Sequence, residues 1–437
     1  MRVTLQFSLE HPQKVKQQLL LWSQQFDEVV WFDSNNYQAC YSEFDAILAV
    51  DASTALQTDS TNAFQKLEEY QKTTNDWIFG YLSYDLKNAI EDLSSQNHDG
   101  LYFPDLYFFQ PKKLFFLKGN MLEVHYLSMI LDELQSDVVA IRTTNIDTEV
   151  FSYEDSNKEH RPKIKLRIHK DEYYEKVHKL LAHIHRGDIY EANFCQEFYA
   201  EDAEIDPLST YTHLNSISKP PFATYMRLGD KYILSASPER YIKKKGTKVI
   251  SQPIKGTAKR IKENAEKDQQ MAQHLRTDEK ERAENVMIVD LVRNDLSKTA
   301  IKGSVRVEEL CKIYTFDQVH QMISTVTSEV TKDQNPIEIL KTTFPMGSMT
   351  GAPKISAMQI IENLEETKRG IYSGAIGYFT PNNDFDFNVV IRSILYNSTE
   401  KYVSYSVGGA ITAKSIAEKE YEECLIKAKA MREALES

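Results

Sequence analysis

The sequence predicts an α+β fold, a large layered α/β sandwich of mainly antiparallel sheets with helices outside. Strand-like runs rich in β-branched and aromatic residues follow one another at 223–228, 231–237, 372–379, 385–396 and 401–411. Helical patterns interrupt them without the strict strand–helix alternation of a doubly wound parallel sheet. The 437 residues, 41% hydrophobic and 27% charged, are enough for a substantial core and ordinary for a globular protein.

The elements follow in order. To about residue 140, short apolar strands (EVVWFDSNN, FDAILAV, WIFGYLSYDL) alternate with polar turns. DLKNAIEDLSSQNHDG reads as a surface excursion, because turn formers dominate it. The polar segment SYEDSNKEHR at 152–161 is the predicted linker between an N-terminal lobe, 1–150, and a larger region, 160–437, that carries the chemistry-bearing motifs. In DEYYEKVHKLLAHIHRG the spacing of Val177, Leu180, Leu181 and Ile184 predicts a helix, with Asp171 as its N-cap and Gly187 as its stop. EKERAENVMIVDLVRNDL, PKISAMQIIENLEE and SIAEKEYEECLIKAKAMREALE are further helical patterns.

A net charge of -12 argues against a general nucleic-acid or anionic-membrane binder, whose footprint is basic. No apolar run is long enough to span a bilayer, and the start lacks the apolar core of a secretory signal. The 4 cysteines are scattered with no C-x-x-C pair, which indicates neither zinc nor redox chemistry and fits free thiols in a reducing cytoplasm.

Several segments could carry chemistry. Glu239, at the strand end of SASPER, can face a cleft as a general acid or base; the plainer reading is a turn carboxylate. Lys255, in QPIKGT, lies between an apolar strand and a Gly-Thr turn, where burial can free a lysine to act as a nucleophile; the plainer reading is an exposed turn lysine. Glu281 and Glu284, like Glu420 and Glu423, are spaced to share one helix face, with Lys427 a turn beyond the second pair. Two such pairs could share Mg²⁺, a hard cation that takes one or two carboxylates with water and substrate oxygens, or could be two solvated acidic faces. FPMGSMTGAPK offers backbone N–H groups ahead of a helix as an anion cradle, although it is not a P-loop. Arg392 breaks the apolar run VVIRSIL and needs an anionic partner if buried. Gly408 and Gly409 could admit a ligand carboxylate to the backbone or mark a bulge. Together these residues suit a small polycarboxylate substrate.

SPER, PIKGT, DEKERAEN with the following MIVDLVRNDL, GSMTGAPK, RGIYSGAIGY and the final EYEEC resemble the chorismate-utilising enzymes. That family includes component I of anthranilate and aminodeoxychorismate synthases, and the isochorismate and salicylate synthases. The resemblance runs in one order from about Asp171 onward and more loosely through FDSNN and FGYLSYDL. It implies an anthranilate synthase component I-like fold with the site between two halves. It implies Glu239 as the acid for the departing C4 hydroxyl, and Glu284 and Glu423 as Mg²⁺ ligands with Glu281 and Glu420 close by. Thr257, Ser348, Tyr372, Arg392 and the backbone at Gly408 and Gly409 fall where the family holds the substrate.

Lys255 sorts the members. Aminodeoxychorismate synthases typically read P-I-K-G-T where anthranilate synthases read P-I-A-G-T. The resemblance therefore implies a lysine that attacks C2 of chorismate as the C4 hydroxyl leaves, before ammonia enters at C4 and expels it. The lysine must be neutral to attack, and burial is expected to lower its pKa. Isochorismate and salicylate synthases activate water with a lysine on the strand after the helix ending at Gly187; here GDIYEANFCQ puts Glu191 there, which argues against that reading. Gln321 stands where the family often has a histidine, with His320 beside it. A synthase that stops at the amino product does not need the pyruvate elimination such a residue assists.

No cysteine sits in a glutaminase-like elbow, and the chain stops soon after the last helix. A separate glutamine amidotransferase subunit and a separate lyase that makes 4-aminobenzoate are therefore expected. The L-L-E-S feedback motif of many anthranilate synthases is absent; the nearest string is Phe32-Asp33-Ser34. The competing expectations are an anthranilate synthase component I, and a catalytically inactive chorismate-binding or scaffold subunit.

Overall fold

The computed structural model describes residues 1–37, 41–146 and 161–436. Its sheet is organised around one long strand, Leu106–Lys118. One edge of that strand pairs with Ala46–Thr58, and the other pairs with Ile78–Leu82 and then Met121–Leu127. Two leaves run out from it. The first passes from Ala46–Thr58 through Glu28–Asp33, Phe222–Leu228, Lys231–Ser237, Ser393–Asn397 and Tyr402–Thr412 to Glu191–Ala200. The second passes from Ile78–Leu82 through Ala375–Phe379, Phe385–Val389, Arg240–Lys245 and Lys248–Gln252 to Val319–Glu329. Val319–Glu329 also carries Ile254–Lys259 and Arg306–Thr315. Every strand pairing among the described residues is antiparallel; the one parallel bridge, His98 with Thr367, is isolated.

Strand alternation builds the layers. Val30, Ile47, Phe79, Tyr81, Phe109, Met226, Ile233 and Leu395 belong to one core between the leaves. Their neighbours Val29, Leu48, Leu234 and Ile394 join an outer core. There the helices Lys170–Arg186, Pro207–Ser218 and Ala417–Glu436 pack on the first leaf. Ile78, Leu82, Phe108, Val249 and Phe385 point outward from the second leaf into another core. That core is closed by Ala63–Thr74, Glu279–Ser297 and Pro336–Thr343. The layered sandwich predicted from the sequence is thus the observed architecture. Strands from both ends of the chain share each leaf.

Local expectations fare unevenly. The predicted linker lies outside the described residues apart from Arg161, as does Cys40; Cys195, Cys311 and Cys424 are free and buried. Gly187 ends its helix at φ 90°, in the left-handed region glycine favours. Asp171 is not the N-cap: the helix begins one residue before it, His169 takes the cap position, and Asp171 joins Glu172 in the first turn, where a carboxylate favours the helix dipole. The supposed surface excursion starts inside the protein, because Lys87 is fully buried between Asp85 (3.2 Å) and Glu362 (3.1 Å). Arg392 is not within a strand: it sits in a break between Phe385–Val389 and Ser393–Asn397 at φ 53°, which turns it off the ladder. Among the described residues no helix is long and apolar enough to cross a membrane.

Candidate active site

Glu239 follows the end of strand Lys231–Ser237, where the chain crosses into the second leaf at Arg240–Lys245. Its side chain is 4% exposed, and Oε1 accepts a hydrogen bond from Ser348 Oγ at 2.7 Å. Burial pushes the carboxyl up to about 7, against the pull of Ser348, Lys255 and the Ile254 amide. It can therefore hold a proton near neutrality, as a general acid must.

Lys255 projects from strand Ile254–Lys259, and its Nζ lies 3.2 Å from Glu191 Oε1. The expectation that burial lowers its pKa is overturned. Burial does act in that direction, but the attraction of Glu191, Glu284 and Glu239 outweighs it and holds the ammonium above its ordinary value. Sequence reasoning treated Glu191 only as the absence of a lysine; the structure makes it the direct partner of Lys255. The signal available beforehand was a carboxylate at the head of a run of buried strand residues, a costly placement without a cation. The Asn285 amide bonds the Lys255 carbonyl at 3.4 Å, tying this strand to the helix that carries Glu284.

The two helix pairs converge. Lys280 Nζ stands 3.8 Å from Glu284 and 3.9 Å from Glu420, so one ammonium bridges Glu279–Ser297 and Ala417–Glu436. Burial pushes Glu284 up to about 7, and its Oε1, 3.8 Å from Lys280 Nζ, has no hydrogen-bond donor among the described residues. Burial also raises Glu281 and Glu420. Glu423 is held low despite burial by Lys427, whose Nζ lies 2.6 Å away, and by Lys280. Among the described residues no three His, Cys, Asp or Glu side chains close on one point as a full ligand cage. An orphaned carboxylate oxygen and a second acidic helix across a cationic bridge fit Mg²⁺, which needs only one or two protein carboxylates.

The remaining predicted residues surround these groups in different ways. Ser348 is buried and spends its hydroxyl on Glu239. The cradle around it is narrower than expected, because the Met349 and Thr350 amides bond turn carbonyls. Arg392 makes no side-chain hydrogen bond or ion pair among the described residues; burial lowers its pKa against the pull of Tyr372 and Glu423. Tyr372 is buried and accepts from Cys195 Sγ at 3.8 Å. A Cβ on Gly408 would lie 2.4 Å from Cys195 Sγ, and its carbonyl accepts from Lys427 at 2.8 Å. Gly409 faces Glu420, Glu423 and Lys427. Thr257 is exposed and pairs across the ladder with Gln321, whose buried Oε1 has no donor. His320 turns away to Asp268 and Thr315.

The chain belongs to the family described as chorismate binding enzyme, whose profile matches residues 26–433. It is 40% identical to aminodeoxychorismate synthase component 1 of Salmonella typhimurium over 266 residues, 61% of this chain and 58% of that one. It therefore spans less than two thirds of that relative. It is 33% identical to anthranilate synthase component 1 of Acetivibrio thermocellus over 379 residues, 83% of this chain and 75% of the relative. The crystal structure of anthranilate synthase component I from Streptococcus pneumoniae superposes with a TM-score of 0.78 at 25% identity, covering 91% of this chain and 93% of that one.

Proposed function

We propose that the protein converts chorismate and ammonia to 4-amino-4-deoxychorismate, as the aminating component of an aminodeoxychorismate synthase. The observation that carries this is Lys255, held in a buried acidic pocket 3.2 Å from Glu191 and electrostatically coupled to Glu239. A lysine beside a proton-holding carboxyl suits covalent displacement: the amine attacks C2, both ring double bonds shift around the diene, and the C4 hydroxyl leaves as water with the Glu239 proton. Ammonia then enters at C4, both double bonds shift back, and the lysine is released. Splitting one substitution into two places nitrogen at C4.

Arg392, with no protein carboxylate on it among the described residues, offers a charge-assisted hydrogen bond to a substrate carboxylate. Glu284 and Glu423 would hold Mg²⁺, with Glu281 and Glu420 beside them. The ion would supply positioning and charge neutralisation at the ring carboxylate. A separate glutamine amidotransferase would supply ammonia, consistent with the "component 1" in the relative's name. The setting would be cytoplasmic, in the route to 4-aminobenzoate and folate.

Anthranilate synthesis is the second reading, since that relative matches the larger share of the chain. A product assay separates the two. The chain is incubated with chorismate, Mg²⁺ and ammonium at alkaline pH, with and without an aminodeoxychorismate lyase. 4-Aminobenzoate formed only with the lyase supports the proposal. Fluorescent anthranilate formed without it overturns the proposal in favour of the second reading.

A further inference from the structure

Glu191 is among the most constrained carboxylates in the protein. It heads strand Glu191–Ala200, opposite Ala352 on one side and Thr412 on the other, so its backbone is held between two neighbouring strands. It is 1% exposed. Oε1 accepts from Lys255 Nζ at 3.2 Å, while Oε2 is buried with no donor among the described residues. Leaving a buried carboxylate oxygen unpaired costs on the order of 1–3 kcal/mol or more. Such an atom calls for an explanation, of which a catalytic role is one and a water or ion another.

Lys255 has acidic groups around it, but among the described residues only Glu191 is within hydrogen-bonding distance of its Nζ. Neither Lys255 nor Glu191 forms an ion pair or hydrogen bond with Glu281, Glu284, Glu420 or Glu423. Glu239 is engaged by Ser348 and serves the opposite end of the reaction, where a proton must be given. The resting lysine is an ammonium and has no lone pair with which to attack.

We propose that Glu191 is a catalytic base in this site, taking the Lys255 ammonium proton before attack and returning it when the lysine is released. The proposal rests on the covalent reading above and deepens it. In the first step a proton moves from Nζ to the Glu191 carboxylate, and a charged pair becomes a neutral pair. The Nζ lone pair then bonds to C2, the C1–C2 π pair moves to C1–C6, the C5–C6 π pair moves to C4–C5, and the C4–O bond breaks. The oxygen leaves as water with the Glu239 proton, and the adduct is a secondary ammonium. In the second step ammonia bonds to C4, the π pairs return to C5–C6 and C1–C2, and the C2–N bond pair goes back to Nζ. Glu191 re-protonates the free amine, and Glu239 recovers a proton from the new C4 ammonium. The cycle consumes chorismate and ammonia and yields the amino product and water, with both carboxyls restored.

A counter-ion role predicts the opposite sign. If Glu191 only held the ammonium, Glu191→Gln would remove that attraction, leave more neutral Lys255 and speed attack. A base role predicts slowing, because the amide accepts no proton. The experiment is a single turnover of chorismate with the purified chain and Mg²⁺, without ammonium, quenched with acid and read by intact mass for the Lys255 adduct from pH 6 to 10. Glu191→Gln is expected to slow adduct formation about a hundredfold at pH 7, within the usual range for losing a general base. Its rate should climb with pH as hydroxide takes over, while chorismate affinity changes less than about threefold. Adduct formation as fast as wild type, or faster, at pH 7 overturns the proposal. An equal loss at every pH together with weakened chorismate binding also overturns it, in favour of a structural role. Glu191→Ala gives an independent arm: acetate should restore its rate, and failure of acetate to do so with chorismate binding intact counts against the base. If the wild-type chain forms no adduct, the covalent reading itself fails, whatever Glu191 does.

Discussion

The Ser348 hydroxyl donates to Glu239 Oε1 at 2.7 Å, inside packing that leaves the two residues 3% and 4% exposed. A donor on a carboxylate favours its ionised form, so Ser348 restrains the rise that burial imposes on Glu239. Ser348→Ala removes that restraint. The proton-holding form of Glu239 then survives to higher pH, and the alkaline limb of kcat/KM, set near 7 by Glu239, moves upward. The rate at neutral pH falls about tenfold or less, the worth of one hydrogen bond. A pH–rate profile of both proteins checks the direction. A limb that moves down, or stays in place, would mean that Glu239 is not the acid.

Glu239 also links stability to pH. Its folded pKa, about 7, lies above the ordinary 4.5. A raised acid contributes stability fully below its unfolded pKa and loses that contribution as pH rises through the folded one. Glu239→Gln has nothing to ionise, so it escapes the loss. Between pH 4.5 and 8 the difference in stability should shift in favour of the variant by at most about 3 kcal/mol. Turnover should meanwhile fall about 10²–10⁴-fold. Denaturant unfolding at the two pH values gives the stability result. A pH-independent difference would show that the carboxyl titrates alike in the folded and unfolded states.

The layering was legible because β-branched and aromatic runs follow one another without strict alternation with helices; which face each residue takes was not, since neighbours that are both apolar, Val29 and Val30 or Phe108 and Phe109, point to opposite cores. Some candidate site residues stood out as residue types out of place, such as a lysine at a strand end or an arginine in an apolar run; the roles assigned to them came from the family resemblance. Pairing was not legible. That Lys255 meets Glu191, 64 residues away, depends on how two leaves close, and local spacing carries no record of it. The direction of the Lys255 shift failed for the same reason, since burial is written in the neighbouring residues but the charges opposing it come from other strands and helices. Lys280 was passed over because a lysine in an acidic helix looks like a solvated face until a second helix is set against it.

Cation binding should appear in stability before any turnover is measured. Glu284 and Glu423 bring carboxylates to the helix junction, and a ligand that binds only the folded state stabilises it by mass action, about 2.7 kcal/mol at a hundredfold excess over Kd. For a chain of this size that raises Tm by about 3 °C. Mg²⁺ should give this shift with the wild-type chain at pH 8, and Glu284→Gln and Glu423→Gln should each lose most of it. Equal shifts in all of them would place the cation elsewhere.

Gly408 and Gly409 separate packing from chemistry. A methyl at 408 would meet Cys195 Sγ at 2.4 Å, closer than real contacts allow, whereas a methyl at 409 finds Glu420 Oε2 at 3.4 Å. Gly408→Ala should cost about 1–3 kcal/mol as an overpacked site. Cys195→Ala should recover part of that loss, leaving the Phe194 carbonyl at 3.0 Å as the next obstacle. Gly409→Ala should fold normally and act on chorismate or cation binding instead. Melting curves of the three variants test the division, and equal destabilisation by both alanines would dissolve it.

Arg392 offers the plainest test of substrate recognition. Its guanidinium has no carboxylate on it among the described residues, and burial alone works to lower its pKa, so the fold gains little from the charge. Arg392→Met keeps the length and removes the charge. Stability should hold or rise, because the desolvation cost disappears. Chorismate binding should weaken by about 1.5–3 kcal/mol, the worth of hydrogen bonds to a charged group, or roughly ten- to a hundredfold. Titration calorimetry against chorismate together with a melting curve reads both. A variant that unfolds easily but binds normally would mean that the arginine holds the break between its two strands rather than a ligand.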